Sequence, residues 1–277
     1  MKSPVGVFDS GLGGLSVAAE VLRTLPNERI IYFADNAHVP YGERPLEEVQ
    51  RFALGICGFL IEKGSKVIVM ACNMSSAVAL DIARERYPEI PILGMIEPGA
   101  KAALDASEGK PIGILATTGT VKSEAYKRAI SSIAPSANIF QQACPKFVPL
   151  VESGKADSEE AEAAACTYVA SLIREGCDTI VLGCTHYPFL RKSIESAAGP
   201  SVTIIDPAQE VVRTLHKLLS QKQVLSDSLS APHAFYTSGI VDSFASIGSA
   251  FLGRRIDDAK SITWGVDLGQ TMKDAVV

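Results

Sequence analysis

The segment FLIEKGSKVIVMACN at 59–73 aligns without a gap on SLIREGCDTIVLGCT at 171–185, sharing Leu, Ile, Gly, Ile, Val and Cys. Two other landmarks recur in the same order at nearly the same spacing. PVGVFDSG (4–11) resembles PIGILATT (111–118), and Glu97-Pro98 answers Asp206-Pro207. A repeat of this kind restricts the chain to two similar supersecondary units, each with strand, loop, helix, strand, Cys and helix in corresponding places.

The units themselves are α/β. Short β-branched runs occur at 4–8, 30–35, 67–71, 91–95, 111–115, 179–183 and 202–206, and longer helical patterns separate them. That alternation predicts a parallel sheet with crossover helices. Leu46, Val49, Phe52, Ala53, Ile56 and Leu60 recur at three- and four-residue spacing, as one apolar face of a helix. The strands are continuous apolar runs, which buried parallel strands require when helices cover both faces. The expected fold is therefore two similar αβα domains with mainly parallel sheets, related by a pseudo-twofold and facing each other across a cleft. The second unit is expected as an insertion: residues 97–207 form one domain, and 1–96 with 208–277 form the other. In the tail, AQEVVRTLHKLL is helical in pattern, QKQVLSDSLSAPH is polar, AFYTS is strand-like, and a helix-rich region follows.

Composition narrows the partners. A 277-residue chain that is 47% hydrophobic can bury a large core. Its 26 Lys and Arg are dispersed and outnumbered by 31 Asp and Glu, which argues against nucleic acid as the main partner. The same balance leaves no basic funnel for an anion, so a bound carboxylate must rely on NH groups, hydroxyls and helix dipoles. No apolar run reaches the roughly 20 residues of a membrane span, and MKSPVGVF passes from one Lys directly into a β-like run. Six cysteines are too sparse for a disulfide framework in a chain this long. A cytoplasmic protein is expected.

Cys72 and Cys184 are the equivalent cysteines of the repeat, each at the carboxyl end of a predicted buried strand and just before a predicted helix. Ligands bind at that edge of open α/β sheets. A helix N-terminus favours thiolate, so either thiol is a candidate base. Two thiols facing one cleft from opposite sides are what inversion at a carbon requires: one removes a proton and the other delivers one. A single Cys in such a place is often only a small core residue. The conserved pairing inside the repeat, with polar Asn73, Thr185 and His186 beside it, favours chemistry. Cys57, Cys144, Cys166 and Cys177 lack this setting and are expected to be structural. Zinc held by Cys72, Cys184 and His186 lacks a second close-spaced ligand pair, and a redox dithiol lacks C-x-x-C. No metal is expected.

Other strand ends carry further candidates. Asp9-Ser10-Gly11-Leu12-Gly13-Gly14 superficially resembles a dinucleotide loop, but Ser16 occupies the third glycine position. Its glycines suit a tight turn that brings NH groups close to a small anion. Asp9 is either a partner to a thiol or a helix cap. Pro40-Tyr41-Gly42 is either a ligand-contacting loop or an ordinary turn. His186 is a proton partner to Cys184 or a structural histidine. Glu152 is a further acid whose role spacing does not show.

Together DSGLGG (9–14), PYG (40–42), ACN (71–73), TTGTVKS (117–123) and GCTHYP (183–188) resemble the glutamate racemase family, over a stretch from the first strand to about residue 220. The resemblance implies two α/β domains with the active site in the cleft between them, no cofactor, L- and D-glutamate as substrates, and a supply of D-glutamate for peptidoglycan. It implies Cys72 as base for D-glutamate, assisted by Asp9, and Cys184 as base for L-glutamate, assisted by His186 and by Glu152. Asp9, Ser10, Tyr41, Gly42, Asn73, Met74, Thr185 and His186 match positions that hold substrate. A homodimer is compatible with it, and no membrane partner is implied. The sequence departs from the family pattern at Met74, where Thr is usual, and at Asn36 and His38, where Thr and Arg are often seen. Aspartate racemase shares the paired-thiol chemistry but typically has Glu where His186 stands. A non-catalytic two-lobed binding module is the alternative from another class.

Overall fold

A computed structural model describes residues 3–229 and 231–263 of the chain. The first sheet holds β1 (Val5–Asp9), β2 (Ile30–Ala34), β3 (Val67–Met70), β4 (Ile92–Gly94), and later β9 (Ala234–Thr237) and β10 (Ala259–Ser261). The second holds β5 (Ile112–Ala116), β6 (Ile139–Ala143), β7 (Thr179–Gly183) and β8 (Thr203–Ile205). The strand orders are β10-β9-β2-β1-β3-β4 and β6-β5-β7-β8, and every described pairing is parallel. The order β2-β1-β3-β4 is that of β6-β5-β7-β8, so the sequence repeat is a repeat of topology. β3 and β7, which precede Cys72 and Cys184, are equivalent strands.

Both faces of each sheet are covered, as continuous apolar strands demand. Along β3, Val67 and Val69 enter one core while Ile68 and Met70 enter the other. Along β7, Ile180 and Leu182 face one side and Val181 the other. The two-residue period of a strand distributes these side chains. The helix expected from residue 46 is α1 (Leu46–Glu62), burying Ala53, Ile56 and Leu60 against the first sheet, and Val49 and Phe52 beside Tyr41, Cys72 and Met74. Leu46, at its first turn, is exposed instead. No helix among the described residues is long and apolar enough to cross a membrane.

After the second sheet the chain returns to the first. The helix at Pro207–Gln221 buries Val211, Val212, Leu215 and Leu219 in the core that also holds Val5, Val7 and Val67. β9 then pairs with β2, Tyr32 opposite Phe235. The polar stretch between them is anchored at the base of the sheet. Glu28, buried, accepts hydrogen bonds from the Ser226 amide at 2.8 Å and its hydroxyl at 3.0 Å, and forms a 2.7 Å ion pair with Lys66. Lys66 also donates to the Val224 carbonyl.

Two strands lie outside those expected from the sequence. β6 (IFQQA) and β10 (AKS) are sheet edges with half-buried or exposed residues, so they carry no continuous apolar run. In the expected helix-rich tail, a helix forms at Val241–Leu252 but β10 follows it. Residues 264–277 of that tail lie outside the described residues.

Breaking a buried ion pair by removing one partner leaves an uncompensated charge. Glu28→Ala is expected to lower stability to urea by about 3 kcal/mol. A loss below about 0.5 kcal/mol, the range of an ordinary surface substitution, would contradict this role for Glu28.

Candidate active site

The carboxyl ends of the two sheets border one cavity, lined among others by Ser10, Tyr41, Gly42, Cys72, Asn73, Met74, Cys184, Thr185 and His186. Val39, Pro40, Thr117, Thr120, Val148 and Gly183 complete the wall. Each half therefore supplies one cysteine and its following polar residue.

Cys72 caps the helix α2 (Asn73–Arg86), its sulfur accepting from the Ser75 amide at 3.5 Å. The helix terminus does not win. Burial among Tyr41, Val49, Phe52 and Met74, followed by the charge of Asp9, pushes the Cys72 thiol up to about 12, against the smaller pull of the Ser75 contact. The expectation of a thiolate favoured by the helix dipole is thus reversed at Cys72, because desolvation of a charged sulfur outweighs one helix terminus.

Cys184 differs from its counterpart. It is followed by a 3-10 turn at Tyr187–Leu190 rather than directly by an α-helix. Its polar neighbour is instead His186, whose Nδ1 lies 3.7 Å from Sγ and whose Nε2 lies 2.6 Å from Glu152 Oε1. Burial pushes the imidazole down, but hydrogen bonds to Cys184 and Glu152 and their charges outweigh it, raising His186 to about 10. Cys184, His186 and Glu152 form a relay from the cavity outward, with Glu152 a quarter exposed at its end.

Asp9 lies behind the cavity wall. Its carboxylate accepts from the Gly11 amide at 3.1 Å and from the Thr185 hydroxyl at 3.2 Å, and it is fully buried. The anion served by the NH groups of the glycine loop is therefore Asp9 itself. Burial raises its carboxyl, opposed by the charge of His186 and by amides of Gly14 and Gly11. Gly13 lies so close to the other half that a Cβ would stand 2.5 Å from His186 Nδ1 and from Thr185 Oγ1. Only a residue without a side chain fits there.

Tyr41 contributes its ring to the wall, while its hydroxyl donates to Asp35 at 2.5 Å. Asp35, fully buried, also bonds His38 at 2.8 Å and accepts from the Ser238 hydroxyl at 2.6 Å, so it fixes the loop that carries Tyr41 and Gly42. Met74 packs beside Cys72 and accepts weakly from the Thr120 hydroxyl at 3.9 Å. Ser75 does not line the cavity. Of the remaining cysteines, Cys57, Cys144 and Cys177 are buried, but Cys166 is exposed.

Nothing in the sequence singled out Asp35, and Thr117 and Thr120 stood within the TTGTVKS motif without an assigned site role. Thr117 caps a short helix at Thr118–Lys122 by accepting from the Thr120 amide at 3.3 Å. The T-x-x-T spacing signals that cap, but not that its hydroxyls reach the opposite half.

The profile of the Asp/Glu/Hydantoin racemase family matches residues 7–215. The chain belongs to that family. Among its members, the glutamate racemase of Desulforudis audaxviator is 43% identical over 268 residues, covering 94% of this chain and 98% of that one. The crystal structure of a glutamate racemase isoform from Bacillus anthracis superposes with a TM-score of 0.90 at 38% identity, covering 95% and 98% of the two chains. The glutamate racemase of Francisella tularensis in complex with D-glutamate gives a TM-score of 0.88 at 33% identity, covering 96% and 98%. The racemase fold and the two-sheet arrangement are therefore those expected from the sequence.

A histidine raised from 6.5 to about 10 stabilises the folded state fully below pH 6.5, and that contribution is lost as pH rises through 10. The melting temperature of the protein minus that of His186→Gln should therefore shrink steadily between pH 6.5 and 10.5. The Cys72 shift is common to both proteins and cancels. A difference that stays constant over this window would mean a neutral His186.

Proposed function

We propose that this protein is a cytoplasmic, cofactor-independent glutamate racemase that interconverts L- and D-glutamate and supplies D-glutamate for peptidoglycan. One observation carries the reading: two cysteines, at the ends of equivalent strands β3 and β7, line a single small cavity. The names of the relatives support glutamate as substrate. In this reading the two sheets belong to two lobes, 1–96 with 208–277 and 97–207, and the substrate sits between them.

Cys72 takes the α-proton of D-glutamate as thiolate, and Cys184 gives a proton to the opposite face as thiol. His186, hydrogen-bonded to Cys184 and oriented by Glu152, returns a proton to that sulfur. Cys72 releases the proton it has taken to solvent before the next turnover in this direction; in the reverse direction the Cys184 thiolate, its own proton held on His186, takes the α-proton of L-glutamate and the Cys72 thiol delivers one to the opposite face. The ammonium group of an amino acid bound between the thiols brings a positive charge there, and opposite charge favours thiolate. Asp9, through its charge on Cys72 and its bond to Thr185, keeps both halves of the site in register.

Positioned proton transfer supplies about 10²- to 10⁴-fold. The rest of the barrier falls to donors preorganised around the α-carboxylate. Asn73, Ser10 and Thr185, all buried and lining the cavity, are the groups for that work, and Tyr41 and Gly42 close the other side. Met74 supplies its backbone and an apolar wall where the family usually has a hydroxyl.

Incubation of the purified protein with D-glutamate, and separately with D-aspartate, without any added cofactor should abolish the circular dichroism signal of glutamate far faster than that of aspartate. Cys72→Ala and Cys184→Ala should each lower racemisation by more than about 10³-fold, since losing a proton donor or acceptor removes a whole step. Binding of glutamate should survive in both. Normal racemisation by both variants, or faster loss of the aspartate signal, would refute the assignment.

A further inference from the structure

Tyr126 is absent from the cavity wall, yet it joins the two cysteine-bearing strand ends. It lies on the helix Ala125–Ile133 of the second half, fully buried among Ile96, Ala100, Ile114 and Val181. Its hydroxyl donates to Asn73 Oδ1 at 2.7 Å, across to the residue that follows Cys72. Its ring lies against Gly183, the residue that precedes Cys184: a Cβ there would stand 3.2 Å from Tyr126 Cε2.

The other end of the Asn73 amide is unoccupied. Nδ2 is a buried donor with no hydrogen-bond partner among the described residues, on a side chain that lines the cavity. A buried donor without a protein partner is costly, so this NH₂ group is one that a polar ligand in the cavity would satisfy. An amide presents either a donor or an acceptor to the cavity, and its second end decides which. Burial, and the nearby charge of Asp206, raise the Tyr126 phenol strongly, so it remains a donor. A phenol donor captures Oδ1 and leaves NH₂ toward the cavity. The reverse orientation would set an acceptor against a carboxylate and leave the phenol proton without its partner.

We infer that Tyr126 is a positioning residue that fixes the Asn73 amide with its NH₂ group toward the carboxylate of the substrate. The inference rests on the proposed glutamate reading. It also makes Asn73 dependent on the opposite half of the molecule, since its orientation is set by a helix that packs beneath Cys184.

The test is a double-mutant cycle on the full chain with D-glutamate, comparing wild type, Tyr126→Phe, Asn73→Ala and the double variant. Dissociation constants by calorimetry are read beside KM and kcat. Tyr126→Phe should raise Kd and KM by roughly fivefold to tenfold, the weight of one hydrogen bond, with a smaller fall in kcat. On the Asn73→Ala background the same change should have no further effect on Kd. Additive effects, or unchanged Kd and KM in a folded Tyr126→Phe, would overturn the inference while leaving glutamate racemisation standing. If wild type neither binds nor racemises glutamate, the functional reading falls and this inference with it. Should Tyr126→Phe fail to fold, the side-chain ¹⁵N amide resonance of Asn73 in the wild-type protein decides: it should shift on saturation with glutamate, and an unmoved resonance would refute the inference.

Discussion

A carboxylate with no exposure to solvent, Asp9, is bonded at once to its own loop and to Thr185 of the other half. Nearly everything in the site follows from that contact. The loop must contain glycines because its backbone approaches Thr185 and His186 too closely for a side chain at position 13. With the loop pressed there, the ends of β3 and β7 converge, and two thiols share one cavity. A buried carboxylate in this place also sets the electrostatics, since its charge helps push the Cys72 thiol up while His186 pulls Asp9 down.

The two cysteines are equivalent by topology and unequal by surroundings. Cys72 sits in an apolar cluster with one weak amide contact. Cys184 has an imidazole at 3.7 Å, itself held by Glu152. A repeat that copies the backbone leaves each copy free to acquire its own helpers, and here one half supplies burial and negative charge while the other supplies a proton relay. An enzyme that must work in both directions needs both faces to be competent, but not identical.

Much of this was legible in the sequence for one physical reason: strands buried on both faces must be apolar throughout. The gapless match of 59–73 to 171–185 revealed two copies of such a strand ending in Cys, and the strand orders agree. Edge strands escape that logic, which is why IFQQA and AKS were not expected. Asp35 escaped because its partners are set by the fold, Ser238 being remote in sequence. Thr117 and Thr120 stood in the TTGTVKS motif, but their spacing signals only a local cap. The proton affinity of Cys72 was misjudged because position before a helix is visible in sequence, whereas enclosure by Tyr41 and Phe52 is not.

The central claim is that two different thiols serve the two faces of one carbon, and proton bookkeeping in heavy water tests it most directly. Protonated D-glutamate is given to the enzyme in D₂O, and both enantiomers are recovered early in the reaction. If one thiol removes the proton and the other delivers a solvent-derived deuteron, the L-glutamate formed carries deuterium while the recovered D-glutamate keeps its proton. Deuterium entering recovered D-glutamate as fast as the product would mean a single base on one face, and would contradict the account.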